Sequence, residues 1–448
     1  MFKEKYKSGK EIRKQVPRAT HAQWKPSPKR LSAEQMIILS DEDRLPNLIP
    51  VRHFRMSASP FVFYRATASL MAADLATLPS TGMTVQACGD CHLMNFGGYA
   101  TPERHVLMDI NDFDETLPAP WEWDLKRLAT SFQLAGREKG FSETKNEELV
   151  IDLVSDYQQA ILEYSNLNFL DLWYLKFDLE EIVRNSQDEK LKGRLQKTLA
   201  KGNKQTQDSV FYKMTSDNMG KFSITEQPPL ILHPFNLEES IQQINNFMSE
   251  YKNTLQPDRR FLVDQYKVVD VALKVVGVGS VGTRCYVAML LKDNEPLFLQ
   301  VKEARRSVME AYTNKSAYAH QGERVVQGQR MIQSASDIFL GWSTGPTGKH
   351  FYLRQLRDKK ISPNVETMDI KILRIYANYC SRVLAKAHCK TARGAEICGY
   401  MGKGDEFARS IASFAKLYAD QTEKDFNEFT KAVKANRLTA KKEVPVEA

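Results

Sequence analysis

The chain has 448 residues, of which 42% are apolar and 26% charged, with a mean hydropathy of -0.45. That length supports a large buried core and two or three domains or lobes, and no apolar run approaches the roughly 18 residues of a membrane span, which excludes an integral membrane protein of the helical kind. The net charge of +8 is concentrated at one end: residues 1–30 hold ten Lys/Arg against two Asp/Glu, so the rest of the chain is balanced.

In chain order, residues 1–50 are basic, rich in proline and weakly periodic, and read as an extended arm. Such an arm can touch nucleic acid or an acidic partner, although a solvated extension is the more ordinary use of it. It opens with charges and has no apolar stretch of the secretory type, which predicts a cytoplasmic protein. Six scattered cysteines, Cys88, Cys91, Cys285, Cys380, Cys389 and Cys398, then predict free thiols. Phe61, Tyr64, Ala68, Leu70, Met71 and Leu75 suit a helix from Pro60 to Leu78, stopped by Pro79. A short strand, Thr84 to Ala87, leads into a loop at Gly89. A second strand covers Arg104 to Ile110, and Trp121 opens a helix to about Gly136. Helical patterns dominate to about residue 255. From residue 266 the texture becomes β-branched, with strands around Val268 to Val276, Cys285 to Leu291 and Leu297 to Lys302, broken by glycines and by Asp293-Asn294-Glu295-Pro296. A helix is predicted within Ala304 to Ser334. A hairpin over Ile338 to Trp342 and Phe351 to Gln355 follows, then helices over 367–391 and 406–433.

Chemistry concentrates at two places. The first is Gly89-Asp90-Cys91-His92-Leu93-Met94-Asn95-Phe96-Gly97, followed by a strand carrying Asp109, Asp112 and Asp114. An aspartate and an asparagine five apart, with further carboxylates beyond, suit phosphoryl transfer: one carboxylate takes the proton of an attacking hydroxyl, and an amide oxygen with a second carboxylate holds magnesium. A surface acidic turn would account for Asp114 and Glu115 but not for the apolar setting of Val106, Leu107, Met108, Ile110 and Phe113. Cys88-Gly89-Asp90-Cys91-His92 also spells a haem-attachment string, which requires export, and a CxxC pair, which could be redox-active.

The second is Gly277-Val278-Gly279-Ser280-Val281-Gly282. Backbone amides at Gly277, Gly279, Ser280 and Gly282 could approach phosphate oxygens without side-chain obstruction. The same string matches a dinucleotide-binding fingerprint, with Glu303 about twenty residues on as a ribose ligand, or is an ordinary tight turn. The readings differ over residues 283–292: a dinucleotide fold needs a helix there, a phosphate loop of the kinase type a strand. Thr283, Cys285, Tyr286 and Val287 favour the strand. Lys302, at the end of the next strand, is placed to reach nucleotide phosphates, and either Glu323 or Glu310 is spaced to position it.

Ser59-Pro60-Phe61 with Tyr64-Arg65, Cys88-Gly89-Asp90 with His92 and Asn95-Phe96-Gly97, Asn111 to Thr116, Trp123 to Leu128, and Lys302-Glu303-Ala304 resemble the bacterial family called domain of unknown function 2252 over nearly the whole chain beyond the basic arm. At the level of motifs this family is similar to the protein-kinase-like superfamily, nearest to aminoglycoside and choline phosphotransferases. The resemblance implies an α+β, two-lobed fold that binds ATP with Mg2+. It makes Asp90 and His92 catalytic-loop residues, Asn95 with Asp112 or Asp109 metal ligands, and Asp124 a brace for the loop. Lys302 would then serve the phosphates, with Gln355 and Leu356 near the adenine edge. In ordinary kinases the glycine loop precedes the catalytic loop; here the order is reversed, which implies a circular permutation. The expected organisation is a basic arm (1–50), a large lobe (51–255), a small antiparallel β lobe (256–360), helices returning to the large lobe (361–433) and a tail (434–448). The implied function is ATP-dependent transfer to an unidentified acceptor. AMP transfer, an inactive nucleotide-binding scaffold and an NAD-dependent oxidoreductase are the alternatives.

Overall fold

The computed structural model describes residues 2–442 apart from 187, 188, 219, 220, 237, 276, 357, 358 and 392. Val276, expected at a strand end, and the last residues of the tail fall outside that set. No helix among the described residues is long and apolar enough to cross a membrane.

The chain folds as a mixed α+β protein with two kinds of core. The larger is helical. Trp121–Glu138 is buried almost all round and packs with Glu143–Tyr164, Ile370–Lys390 and the long helix Glu406–Lys434. Local signals start these helices: Ser142 accepts a hydrogen bond from the Lys145 amide and Asp369 one from Ile372, each satisfying an otherwise orphaned N–H of a first turn. The helix expected over Pro60 to Leu78 is two, Pro60–Arg65 and Ala68–Leu75. The first is capped by Ser59, and Thr67 bonds the carbonyls of Phe63 and Tyr64 through its hydroxyl where the two meet.

The smaller core belongs to an antiparallel sheet ordered Gly341–Thr344, His350–Gln355, Glu295–Glu303, Cys285–Lys292, Lys267–Lys274, Ile231–Leu232. Cys285–Lys292 is a strand paired antiparallel on both sides, so the parallel sheet and crossover helix of the dinucleotide fingerprint are absent there. Asp293 makes the tight turn between two of these strands with φ of 53°, a conformation that Asp and Asn tolerate. Both faces of the sheet are covered, which is why the strands read as continuous apolar runs. Ala288, Leu290, Leu299, Val301 and Leu353 face Met248, Tyr251 and Val263. Val287, Met289 and Phe298 point the other way, to Val210, Phe211 and Met214. The helices Gln207–Met214 and Ile241–Asn253 therefore pack on the sheet, and the segment associated with it starts near residue 207 instead of 256.

The amino-terminal segment is not an extended arm. Phe2–Ile12 is a helix packed on Gly394–Met401, closely enough that a Cβ on Gly9 would lie 1.9 Å from the Glu396 carbonyl oxygen. Trp24 meets Tyr418 edge to face, and Arg30 spans Asp74 and Asp425 at 2.8 and 2.6 Å. Several of the charges that suggested a nucleic-acid or acidic partner are thus spent within the fold: Arg13 and Arg18 also donate to the carbonyls of Tyr400 and Met401.

Candidate functional site

Strand alternation builds one wall of the site. On Glu295–Glu303 the residues 297, 299 and 301 point into the closed core, so Gln300 and Lys302 share the opposite face with Phe298. Their partners across the ladder are Arg354 and Tyr352. A core of apolar side chains thus gives way, along one face, to a polar stripe of Gln300, Lys302, Tyr352 and Arg354.

The opposing wall comes from the loop at Gly89 and the strand Val106–Ile110 with the residues after it. Gly89 has φ of 84°, and a Cβ there would stand 2.4 Å from the Glu115 carbonyl oxygen, so only glycine fits. Asp124, on the first turn of Trp121–Glu138, accepts from the amides of Cys88 and Gly89 at 2.8 and 3.0 Å and lies 3.4 Å from His388 Nε2. It fixes the loop from beneath. Asp90 is bound by Arg127 at 2.5 Å, and its other oxygen lies 3.7 Å from His92 Nε2. The buried His92 is held neutral, with burial lowering its pKa to about 4.

The two walls meet directly. Lys302 Nζ lies 2.6 Å from Asp114 and 3.6 Å from Asp112, across 188 residues of sequence in the first case, and the Tyr352 hydroxyl donates to the other Asp114 oxygen at 2.7 Å. Burial opposes the charge on Lys302, but Asp112 and Asp114 outweigh it and raise its pKa well above the usual range. For Asp112 burial acts upward and is overcome by Lys302, Arg354 and Lys360, which bring it to about 2. Lys302 therefore takes its carboxylates from the loop wall. Among the described residues neither Glu323 nor Glu310 pairs with it: Glu323 sits in the first turn of Gln321–Ile332 behind the His320 cap, and Glu310 accepts from the Ser316 amide.

The metal-ligand alternatives also part company. Asp109 is fully buried in an ion pair with Lys386 at 2.6 Å, and Ser334 donates to the same oxygen through its amide and hydroxyl. It lines neither of the two cavities at this site, and both its oxygens already accept from Ile110, Ser334 and Lys386. Asp112 faces the cleft, and its Oδ1 is buried without a hydrogen-bond donor. Asn95 donates its amide nitrogen to the Asp90 carbonyl at 2.7 Å, which leaves its amide oxygen as the atom able to act as a ligand. One carboxylate oxygen without a hydrogen bond, 3.6 Å from Lys302 Nζ, and one amide oxygen are ligand types that a hard divalent cation takes.

Two cavities of about 770 and 850 Å3 adjoin here and share Asp112, Gly277 and Ser280 as lining. The first continues past Lys302, Gln300 and Arg354 to Gln355 and Leu356. The second holds Asp90, His92, Asn95 and Gly279. Gly277 and Gly282 have φ of 66° and 87°. The loop between them is held through its carbonyls: Arg44 binds those of Gly279 and Val281 at 2.9 and 2.5 Å, Arg55 that of Gly277 at 2.6 Å, and the Leu45 amide that of Gly282 at 2.7 Å.

The residues missed from sequence are Arg44, Arg55, Arg127, Tyr352 and Arg354. The last two carried a signal, since polar residues at 352 and 354 continue the period of two set by Phe351 and Leu353. Arg44 and Arg55 carried none beyond general basicity, and Arg127 stood in the Trp123 to Leu128 motif without a role attached to it. Cys88 and Cys91 are buried, and burial raises both thiols, Cys91 to about 11; such protonated thiols are unreactive at neutral pH.

Among curated proteins and among solved structures nothing matches this chain. Residues 44–432 match a family described as "Uncharacterized protein conserved in bacteria (DUF2252)". With most of its length inside that match, the chain belongs to the DUF2252 family.

Proposed function

We propose that this protein is an ATP-dependent phosphotransferase with a circularly permuted, protein-kinase-like arrangement of lobes, acting on a hydroxyl acceptor. One observation carries the reading: the Asp90–Asn95 loop and the Gly277–Gly282 loop, far apart in sequence, line one cavity that adjoins a second containing Lys302, Gln355 and Leu356. In this reading the nucleotide occupies the cavity beside Gln355 and Leu356, with Lys302 turning from Asp112 and Asp114 toward its phosphates. Magnesium held by Asn95 and Asp112 would neutralise phosphate oxygens. Asp90 receives the hydroxyl proton as the acceptor oxygen bonds to the γ-phosphorus and the bond to the ADP oxygen breaks. Arg127 holds Asp90 in place and Asp124 holds the loop that carries it.

Thermal shift with Mg-ATP against NAD tests the nucleotide, and a labelled-ATP screen of acceptors tests the transfer. Stabilisation by NAD alone would overturn the reading. The Asp90–Arg127 ion pair favours one further reading, a nucleotide-binding scaffold without turnover, because an Asp90 oxygen already accepts from the Arg127 guanidinium. Mg-ATP binding with no transfer to any acceptor class would select it.

A further inference from the structure

Most cations around the second cavity are committed to protein partners. Arg44 binds glycine-loop carbonyls, Arg52 binds Asp41 at 2.6 Å, Arg305 binds the Glu42 carbonyl at 2.7 Å, and Lys349 lies 3.4 Å from Asp43 and 3.7 Å from Glu303.

Arg65 is different. It ends the helix Pro60–Arg65 and lines this cavity with Asp90 and His92. Its Nε is buried without an acceptor, and among the described residues it has no ion pair or hydrogen bond, its guanidinium standing 5.9 Å from the Phe61 ring centroid. The group is close enough to Asp90 and His92 for its charge to act on both. A buried guanidinium N–H without an acceptor costs free energy that a ligand oxyanion recovers, and its planar fork suits two oxygens of a carboxylate or phosphate. Arg306, exposed at the same cavity and likewise unpaired among the described residues, adds a second positive charge.

We infer that Arg65 is an oxyanion-binding residue, and that the acceptor is a hydroxyl compound carrying a carboxylate or phosphate, which Arg65 grips while its hydroxyl faces Asp90. The acceptor role rests on the phosphotransferase reading; the anion site does not. Neutral polyols and cationic amino alcohols are the classes it disfavours.

The test uses the full chain at fixed ionic strength, with inorganic phosphate and glycerate as probes and glycerol as the neutral control. Binding is measured for wild type, Arg65→Gln and Arg65→Lys, with melting of each unliganded variant as the check on folding. Wild type binds both anions saturably and glycerol not at all; Arg65→Gln weakens the anions about tenfold or more, the range of a lost charge-assisted hydrogen bond, and Arg65→Lys recovers part of it. Wild type without saturable anion binding, or equal binding in Arg65→Gln, overturns the proposal. So does an Arg65→Gln variant that loses Mg-ATP affinity by the same factor, since the arginine then serves the nucleotide. If Mg-ATP fails to bind wild type while anion binding remains dependent on Arg65, the phosphotransferase reading falls and the anion site stands.

Discussion

Two buried lysines meet aspartates at the same distance and do different work. Lys386 and Asp109 are sealed at 2.6 Å with neither side chain exposed. Lys302 and Asp114 lie equally close, but Asp114 is about 30% and Asp112 about 36% exposed, on the border of two cavities. The first pair cannot exchange partners without unfolding its surroundings, because no water or ligand can replace a lost charge. The second has carboxylates open to solvent, so a change of partner there does not require the core to open. The closest approach is the same, so what separates a structural ion pair from one suited to a ligand is solvent access together with the second carboxylate, Asp112, beside Lys302.

The largest contrast is in stability. Lys386→Met should cost about 3–5 kcal/mol by leaving Asp109 charged and buried, read as a drop in urea midpoint at unchanged slope. The paired change Lys386→Met with Asp109→Leu should recover much of that loss. A Lys386→Met variant as stable as wild type would show that Asp109 has water access after all.

Lys302→Met should cost far less stability, because Asp112 and Asp114 then face the cavity. Its effect should fall on ligand binding: Mg-ATP at one hundred times its dissociation constant should stabilise wild type by about 2.7 kcal/mol, and the variant at the same concentration should show little of that shift. Full stabilisation of Lys302→Met by Mg-ATP would remove this lysine from the nucleotide site. Asp90→Asn should keep nucleotide binding and lose transfer by about 10²–10⁴-fold, the usual size of a general-base contribution; undiminished turnover would remove Asp90 from the chemistry.

The smallest effect is on pH dependence. Burial raises the Glu115 carboxyl to about 6 against the ordinary 4.5, despite the Val308 amide and Arg324. The folded state therefore holds this proton more tightly than the unfolded chain. The contribution is fully present below about pH 4.5 and is lost as pH rises through about 6, by about 1 kcal/mol given its partial exposure. Glu115→Gln should flatten stability between pH 4.5 and 6.5 in urea titrations, and an unchanged slope there would show that other groups set it. Asp112 runs the other way: with its folded pKa at about 2, the stability it adds is present above the ordinary carboxylate range and lost on acidification through 2.

Much of the β region was legible because its signals are local. Apolar runs closed by Asp293-Asn294 and by glycines mark Cys285–Lys292 and Glu295–Glu303 within a few residues. Thr84–Ala87 falls where it was expected. The break at Ala66 and Thr67 was not visible, since the apolar period continues through it and a tertiary contact, Arg52 donating to the Ala66 carbonyl at 3.1 Å, takes up a backbone group. The amino-terminal helix was hidden by its charge: Phe2–Ile12 has little apolar surface and is held by close backbone approach at Gly9 and Gly399, a contact with no sequence period. Thr215–Asn218 and Lys221–Ile224 likewise pair as strands inside a stretch read only as helical, whereas Leu179–Asn185 is helical as expected.

The sequence by itself determined which residue types could do chemistry: an Asp/Asn loop, a glycine-rich turn between strands and a lysine at a strand end, each specified by neighbours within about ten positions. It left Asp109 and Asp112 undecided, because the spacing from Asn95 favours the first and the spacing to Asp124 the second. Only the tertiary structure separated them, by setting Lys386 against one and an open cavity against the other. The same holds for Lys302, whose carboxylates come from the loop wall and not from its own following helix. Long-range electrostatic partners depend on how elements dock, and docking is decided by the burial of whole faces, which a linear pattern records only as apolar or polar.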